Sequence, residues 1–385
     1  MSSRKAICIV ISSIGTAEAF LLGHLAAMAR SYDVSLVANC SDKDHLRKRG
    51  LNVDVLYVPI NRSVSPLMDL MCLIALFRLF KERRFDVVHS VTPKAGLLGM
   101  LAAKLARVPF RIHTFTGQVW ATRSGMGRTI LKSLDRLLAS AATHVLADSR
   151  SQLDFLRQQK VLASDRGSVL ANGSIGGVDV SRFRPDENAR EHIRRELTIP
   201  GHFCVFLFVG RLTPDKGVLT LAQAFSKLAR THPDTFLLVV GPDEGGMRQK
   251  VERSCEEFLP RLRFVGATSA PESYMAASDV LCLPSQREGF GNVVIEAAAA
   301  GLPAIASRIY GLTDAIVDGG TGLLHEPGDS SALSSAMRRL ADSPSTRHAL
   351  STAGRERVLH QFSSEAVIGA LQARYQNLLG SVLHG

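Results

Sequence analysis

Two glutamates, Glu288 and Glu296, bracket a glycine-bearing stretch that reads GFGNVVI. An ionised carboxylate only accepts hydrogen bonds, through two oxygens, and so suits hydroxyl-rich groups. Gly289 and Gly291 let the backbone come close to a ligand. The amides from Phe290 through Gly291 and Asn292 to Val293 then open a helix, whose positive dipole end favours an anion. The stretch therefore predicts a phosphate or diphosphate at the helix start. Each carboxylate would face another part of the same ligand, because a carboxylate beside the phosphate would repel it. The plainer alternative is that Glu296 only improves a helix N-terminus and Glu288 is solvated.

A second cluster lies upstream, in Gly210-Arg211-Leu212-Thr213-Pro214-Asp215-Lys216-Gly217. An arginine grips two oxygens at once and a lysine acts as a point charge, so Arg211 and Lys216 at one turn predict a further phosphate contact. Solvated turn charges are the alternative.

The elements that must position these groups follow from the apolar rhythm. Short apolar runs at 204–209 and 279–283 read as buried parallel strands. The first feeds the Arg211–Lys216 turn and a helix from Val218. The second feeds the Glu288 loop and a helix over 292–300, stopped by Gly301 and Pro303. Runs at 236–241 and 262–266 supply two more strands. The first half alternates in the same way, with strands expected at 6–12, 34–39, 53–58, 85–89, 110–114 and 143–147. This alternation predicts an α/β protein with parallel sheets. Its first turn leads into a helix expected to run through Arg30. That turn carries one glycine, Gly15, and lacks the GxGxxG of a dinucleotide-dehydrogenase fold; Gly15 by itself serves a tight turn. Glycines from Gly173 to Gly177 mark a hinge.

The stretch EGFGNVVIEAAAAGLP, followed by YGLTDAIVDGGTGLL and preceded by GRLTPDKG, resembles the retaining glycosyltransferases of family four. The segments TPKAGLLGMLAAKLARVP and TFTGQVWATR resemble the bacterial members that build surface polysaccharides or lipid-linked oligosaccharides. The resemblance covers nearly the whole chain. It implies a GT-B fold, two Rossmann-like domains with parallel sheets facing a central cleft. The expected division is residues 1–175 for the acceptor, 176–362 for the nucleotide-sugar, and a helix over 363–385 crossing back to the first domain.

The resemblance also implies roles. Glu288 lies by the donor sugar and Glu296 holds the ribose. Arg211 and Lys216 hold the diphosphate, with Gly210 in the same turn. Val265 and Gly266 lie against the base, and the turn at Gly15 faces the acceptor and the donor phosphates. Many relatives have a histidine that contacts the donor sugar where this chain has Thr116. His113 and Lys94 are further candidates for the sugar or acceptor side. The donor implied is a UDP-sugar, with an N-acetylhexosamine preferred, and the acceptor is a lipid-diphosphate-linked or polysaccharide glycan. No metal is expected, because no Asp-x-Asp occurs in a suitable loop and the cations would take its place.

The 385 residues suffice for two domains, and 46% hydrophobic with 21% charged residues is ordinary for a globular protein. Six cysteines without a CxxC pair predict reduced core thiols in a cytosolic protein. The start, Met1–Lys5 and the short apolar run after it, reads as a first strand and not a leader. The longest apolar stretch, residues 67–80, contains Asp69 and Arg78 and is too short to span a bilayer.

The net charge of +11 is one-sided. Residues 1–172 hold 24 Lys and Arg against 12 Asp and Glu, and the remainder holds 22 against 23. No aromatic-basic RNA motif accompanies this excess, so an anionic membrane surface or diphosphate-bearing acceptor is expected over nucleic acid. Trp120 and the basic, apolar helix after it fit an interfacial segment of an enzyme peripheral at the inner face of the membrane, or else a plain amphipathic helix packed on its domain. Two other functions share parts of this pattern: a non-hydrolysing sugar-nucleotide epimerase, whose segments are missing, and a binding protein without chemistry, which would normally be exported.

Overall fold

The computed structural model describes residues 4–61 and 63–380. The start of the basic Met1–Lys5 opening and the last five residues of the 363–385 segment lie outside the described residues. The chain divides into two compact units, residues 1–177 with 364–385, and residues 178–363.

The first unit runs β1 (Ala6–Val10), α1 (Ile14–Phe20), α2 (Leu22–Ala29), β2 (Asp33–Ala38), β3 (Asp54–Tyr57), α3 (Pro66–Arg83), β4 (Val87–Val91), α4 (Pro93–Leu105), β5 (Phe110–Phe115), α5 (Gly125–Ala141), β6 (His144–Ala147), α6 (Arg150–Gln158) and β7 (Ser168–Val169). Its sheet has the order β3-β2-β1-β4-β5-β6-β7, and its paired strands are parallel. Alternate strand residues point to opposite faces. Cys8 and Val10 join Leu76 and Phe80 of α3, Met100 of α4 and Leu138 of α5 in one core. Ile7 and Ile9 join Leu25 and Met28 of α2 in the other.

The second unit runs α7 (Glu187–Glu196), β8 (Cys204–Val209), α8 (Val218–Ala229), β9 (Thr235–Val240), α9 (Met247–Ser254), β10 (Leu262–Gly266), α10 (Pro271–Ala276), β11 (Val280–Leu283), α11 (Asn292–Ala299), β12 (Ala304–Ser307), α12 (Leu312–Ala315), β13 (Gly322–His325), α13 (Ser330–Asp342) and α14 (Pro344–Gln361). Its parallel sheet has the order β10-β9-β8-β11-β12-β13. The last helix, α15 (Ser364–Gly380), belongs to the first unit and places Leu371 and Tyr375 in the α2-side core.

Three expectations need correction. The single helix expected from Gly15 through Arg30 is broken at Leu21, which has φ −116° and separates α1 from α2. At that break the backbone of Gly176 lies so close that a Cβ there would sit 2.6 Å from the Phe20 carbonyl oxygen. Gly15 takes no left-handed conformation; it is exposed in the first turn of α1, and an added Cβ would meet only Ser13 Oγ at 3.7 Å. Trp120 is not interfacial. It is 1% exposed, stacks on Phe155 at 5.3 Å, and donates from Nε1 to Asp135 Oδ2 at 2.7 Å.

The interior of the first unit carries a polar cluster. His89 Nδ1 meets Tyr375 Oη at 2.6 Å and Nε2 meets Thr114 Oγ1 at 2.7 Å, while His24 Nε2 meets the Ile175 carbonyl at 2.8 Å. A cavity of about 20 Å³ opens among His24, His89, Thr114, Asp148, Ser174 and Leu371, enough for one water. His24 Nδ1 and Asp148 Oδ1 have no hydrogen-bond partner among the described residues.

Burial pushes the Asp148 carboxyl up from 3.8 to about 8. The folded chain thus holds a proton that the unfolded chain has lost between those values, so stability is predicted to fall as pH rises from about 4 to about 8. Asp148→Asn removes that slope. Urea unfolding at pH 5 and pH 8 should show the wild type losing about 1–3 kcal/mol more than the variant, the cost of one unsatisfied buried group. Parallel pH profiles would refute this.

Candidate functional site

In the second unit, backbone geometry at the strand ends builds the site. Gly210 N donates to Val240 O at 2.9 Å, and Gly241 N donates to Gly266 O at 2.7 Å. Gly241 has φ +139°, and a Cβ on it would lie 1.9 Å from Gly210 O. Gly266 has φ +79° with open space beside it, and Val265 before it is half-buried. Three glycines therefore leave the ends of β8, β9 and β10 without side chains. Gly217, with φ +70°, brings the turn after β8 against the loop after β11, where a Cβ would meet Pro284 O at 1.9 Å. No other residue type fits there.

This backbone contact lets side chains on the two loops meet. Lys216 Nζ lies 2.5 Å from Glu288 Oε1, and Ser285 Oγ donates to the same oxygen at 2.8 Å. Lys216 and Glu288 are mostly buried, with side chains 19% and 13% exposed. Arg211 stands apart from this pair, forming an ion pair with Glu244 Oε2 at 2.7 Å in the open.

Asp215 joins the loops from below. Its carboxylate accepts from Thr213 Oγ1 at 2.6 Å and from Arg287 Nη2 at 2.7 Å, while its carbonyl accepts from Gln286 N at 2.8 Å. Burial pushes the Asp215 carboxyl up, but the Thr213 hydrogen bond and the charges of Arg287 and Lys216 outweigh it and hold the group below the usual range. A double-mutant cycle with Asp215→Asn and Arg287→Gln, read by urea unfolding, should give a coupling of about 1 kcal/mol or more. Strictly additive losses would show that the pair does not join the loops.

Helix α11 begins behind Gly291, whose φ is +83°. Asn292 and Val293 are half-buried in its first turn, and Phe290 turns inward onto the Phe362 ring at 5.2 Å. Gly289 O lies against Gly311, where a Cβ would stand 2.5 Å away. One turn along, Glu296 is half-buried and its carboxylate has no hydrogen-bond partner among the described residues. Burial pushes its carboxyl up to about 7; Arg182 pulls it down and Glu272 adds to the rise. Arg182 is bonded to Glu272 at 2.8 Å and to the Ser269 carbonyl at 2.7 Å.

The structure thus gathers Lys216 and Glu288 directly, with Glu296 on the helix that follows. Asp215, Ser285, Arg287, Glu244 and Arg182 were not singled out from sequence. Only Asp215 had a signal, standing between Thr213 and Lys216 in the cationic turn.

The first-unit candidates fare differently. His113 lies in the interior: it is 1% exposed, bonded to Ser90 at 2.9 Å, and its pKa is held by burial down at about 3. An added Cβ on Gly96 would touch its ring, so α4 packs directly on it. Lys94 is committed to Asp69 Oδ1 and the Ser63 carbonyl, each at 2.5 Å. Thr116 is half-buried after β5, and its carbonyl accepts from Gln118 and Gln152. Among the described residues no group of three or more His, Cys, Asp or Glu could hold a metal.

Two parallel α/β units, one with cations and carboxylates gathered at glycine-lined strand ends, define a glycosyltransferase of the GT-B fold. Solved structures agree on the fold: Anabaena HepE in complex with UDP matches with a TM-score of 0.79 at 18% identity, over 97% of this chain and 100% of that one. Sucrose-phosphate synthase from Thermosynechococcus elongatus matches with 0.81 at 24%, over 98% and 100%.

In sequence, residues 189–357 match the model for glycosyl transferases group 1, and residues 15–173 match the glycosyl transferase 4-like domain. The capsular polysaccharide biosynthesis glycosyltransferase CapM of Staphylococcus aureus is 31% identical over 84% of each chain. The UDP-Gal:alpha-D-GlcNAc-diphosphoundecaprenol alpha-1,3-galactosyltransferase of Escherichia coli is 30% identical over 76% of each. The chain belongs to the group 1, family-four-type glycosyltransferases.

Proposed function

We propose that this glycosyltransferase moves a sugar, with N-acetylhexosamine the preferred candidate, from a UDP-sugar to a lipid-linked or polysaccharide acceptor in cell-surface glycan synthesis, retaining the anomeric configuration. It would work at the inner face of the cell membrane. One observation carries the reading: the 2.5 Å pairing of Lys216 with Glu288, next to the glycine-bounded start of α11 and one turn before Glu296. The names of the capsular and diphosphoundecaprenol-linked relatives support the acceptor class, and the galactosyltransferase's name supports UDP.

In this reading the donor diphosphate lies at the first turn of α11. Lys216, Arg211 and the α11 amides stabilise the charge that grows on the leaving diphosphate, a role often worth several kcal/mol in a preorganised site. Arg211 is free to turn from Glu244, because an exposed ion pair is worth only about 0–1 kcal/mol. Glu296 accepts from the ribose hydroxyls, and Val265 with Gly266 offers a side-chain-poor surface to the base. Lys216 gives one of its three N–H donors, and Ser285 its hydroxyl, to Oε1 of Glu288, which leaves the other carboxylate oxygen for a sugar hydroxyl and the remaining ammonium donors for the diphosphate. The cations serve in place of a metal.

Incubation with a panel of UDP-sugars and a diphosphoundecaprenol-linked glycan tests this. Release of UDP with transfer from one donor is expected. Interconversion of UDP-sugars without transfer would instead favour an epimerase, and binding without turnover a binding protein.

A further inference from the structure

An apolar surface is left in water on the outer side of the helix layer α3–α4–α5. On α3 the residues Leu67, Leu70, Met71 and Ile74 are exposed at helical spacing, while Cys72, Leu76 and Phe80 on the opposite side are buried. Val64, just before α3, is 81% exposed. On α5 the series Met126, Ile130, Leu134 and Leu137 is exposed in the same way, with Met126 at 80%. Between them Leu105 projects from the end of α4. A helix with one apolar face needs no more than that face to pack; α3 and α5 each carry a second, outward one.

The exposed charges around this surface are mostly basic. Arg78, Lys81 and Arg83 on α3, Lys104 on α4 and Arg136 on α5 are exposed. Among the described residues of the three helices, Glu82 is the sole exposed acidic side chain: Asp69 is half-buried against Lys94, and Asp135 accepts from Trp120. Lys132 and Arg128 lie over the Trp120 ring at 5.6 and 5.9 Å, which places their charge beside the α5 stripe.

We propose that the outer faces of α3 and α5, with Leu105, form the docking surface of this unit for an anionic phospholipid bilayer. The apolar stripes enter the boundary between headgroups and acyl chains, and the flanking basic side chains meet the anionic headgroups. Charge decides between occupants: a second copy of this chain would bring the same basic surface and repel, whereas an anionic leaflet attracts it. The proposal deepens the proposed function, since a lipid-linked acceptor is presented at such a surface. It replaces Trp120, which is buried, with residues that reach the solvent.

The test is flotation of the full chain with vesicles of phosphatidylglycerol and phosphatidylcholine, or of phosphatidylcholine alone. Binding to the anionic vesicles should be at least tenfold tighter and should weaken as salt rises. Leu67→Gln/Leu70→Gln and Ile130→Gln/Leu134→Gln should each reduce it about tenfold, with the melting temperature and UDP affinity unchanged. Val317→Gln, an exposed apolar site of the second unit, should change nothing. Equal binding of all variants, or equal binding to neutral vesicles, overturns the surface. A doubled solution mass abolished by the same substitutions would assign it to self-association instead. UDP affinity read on the same samples keeps the two readings apart, because loss of vesicle binding leaves the donor site standing and absence of UDP binding leaves the surface standing.

Discussion

Lys216→Ala is expected to lower turnover by two to three orders of magnitude, or about 2.7–4 kcal/mol in the transition state. Its ammonium group is mostly buried and lies 2.5 Å from Glu288, at a contact where the two loops bring a cation to a carboxylate. Removal also strands the Glu288 carboxylate, so a lost rate could come from a disturbed loop. Thermal unfolding and UDP affinity measured alongside separate these causes. A variant that folds and binds UDP but turns over slowly supports charge stabilisation of the leaving group. Arg211→Ala should lose less, because its guanidinium is exposed and reaches the site only by leaving Glu244. Near-normal turnover in both variants would remove the diphosphate assignment.

The second large effect separates the two glutamates. Burial holds the Glu296 carboxyl up at about 7. Ionisation is needed for it to accept from ribose hydroxyls without donating itself, so UDP affinity should rise with pH through about 7 and level off above it. Glu296→Gln should flatten that profile and weaken UDP binding about tenfold at pH 8, which is 1.4 kcal/mol. Glu288→Gln should leave UDP affinity nearly unchanged and lower turnover of the intact donor on the order of a hundredfold. Calorimetry with UDP across pH 6–8, paired with turnover assays, decides. Loss of UDP binding in Glu288→Gln but not in Glu296→Gln would reverse the orientation of the donor.

The strand and helix plan was legible because buried parallel strands read as continuous apolar runs: the run at 204–209 is β8 and that at 262–266 is β10. Glu288, Lys216 and Glu296 were legible for another reason. Glycines at fixed offsets mark places where the backbone must turn or touch, and Gly217 and Gly291 do both. What stayed hidden depends on tertiary contact. His113 sits on a strand, and periodicity cannot tell which strand face is lined by Gly96 of α4. Trp120 beside basic residues reads as interfacial until Phe155 and Asp135, distant in sequence, are placed against it. Asp215 is visible in sequence, but its partner Arg287 is a loop residue whose direction no pattern fixes.

The C-terminal helix has a consequence for how the molecule is made. Topologically the second unit is an insertion within the first, since residues 178–363 separate the sheet of the first unit from α15. Tyr375 of that helix fills the α2-side core and bonds His89. On a ribosome adding 5–20 residues per second, the first unit would wait on the order of ten to forty seconds for this piece while the second unit is synthesised. The second unit is continuous and can close on its own, so the part translated first is the part completed last. In that interval His89 lacks its phenol partner and the core around Leu25 lacks the side chains of Leu371 and Tyr375.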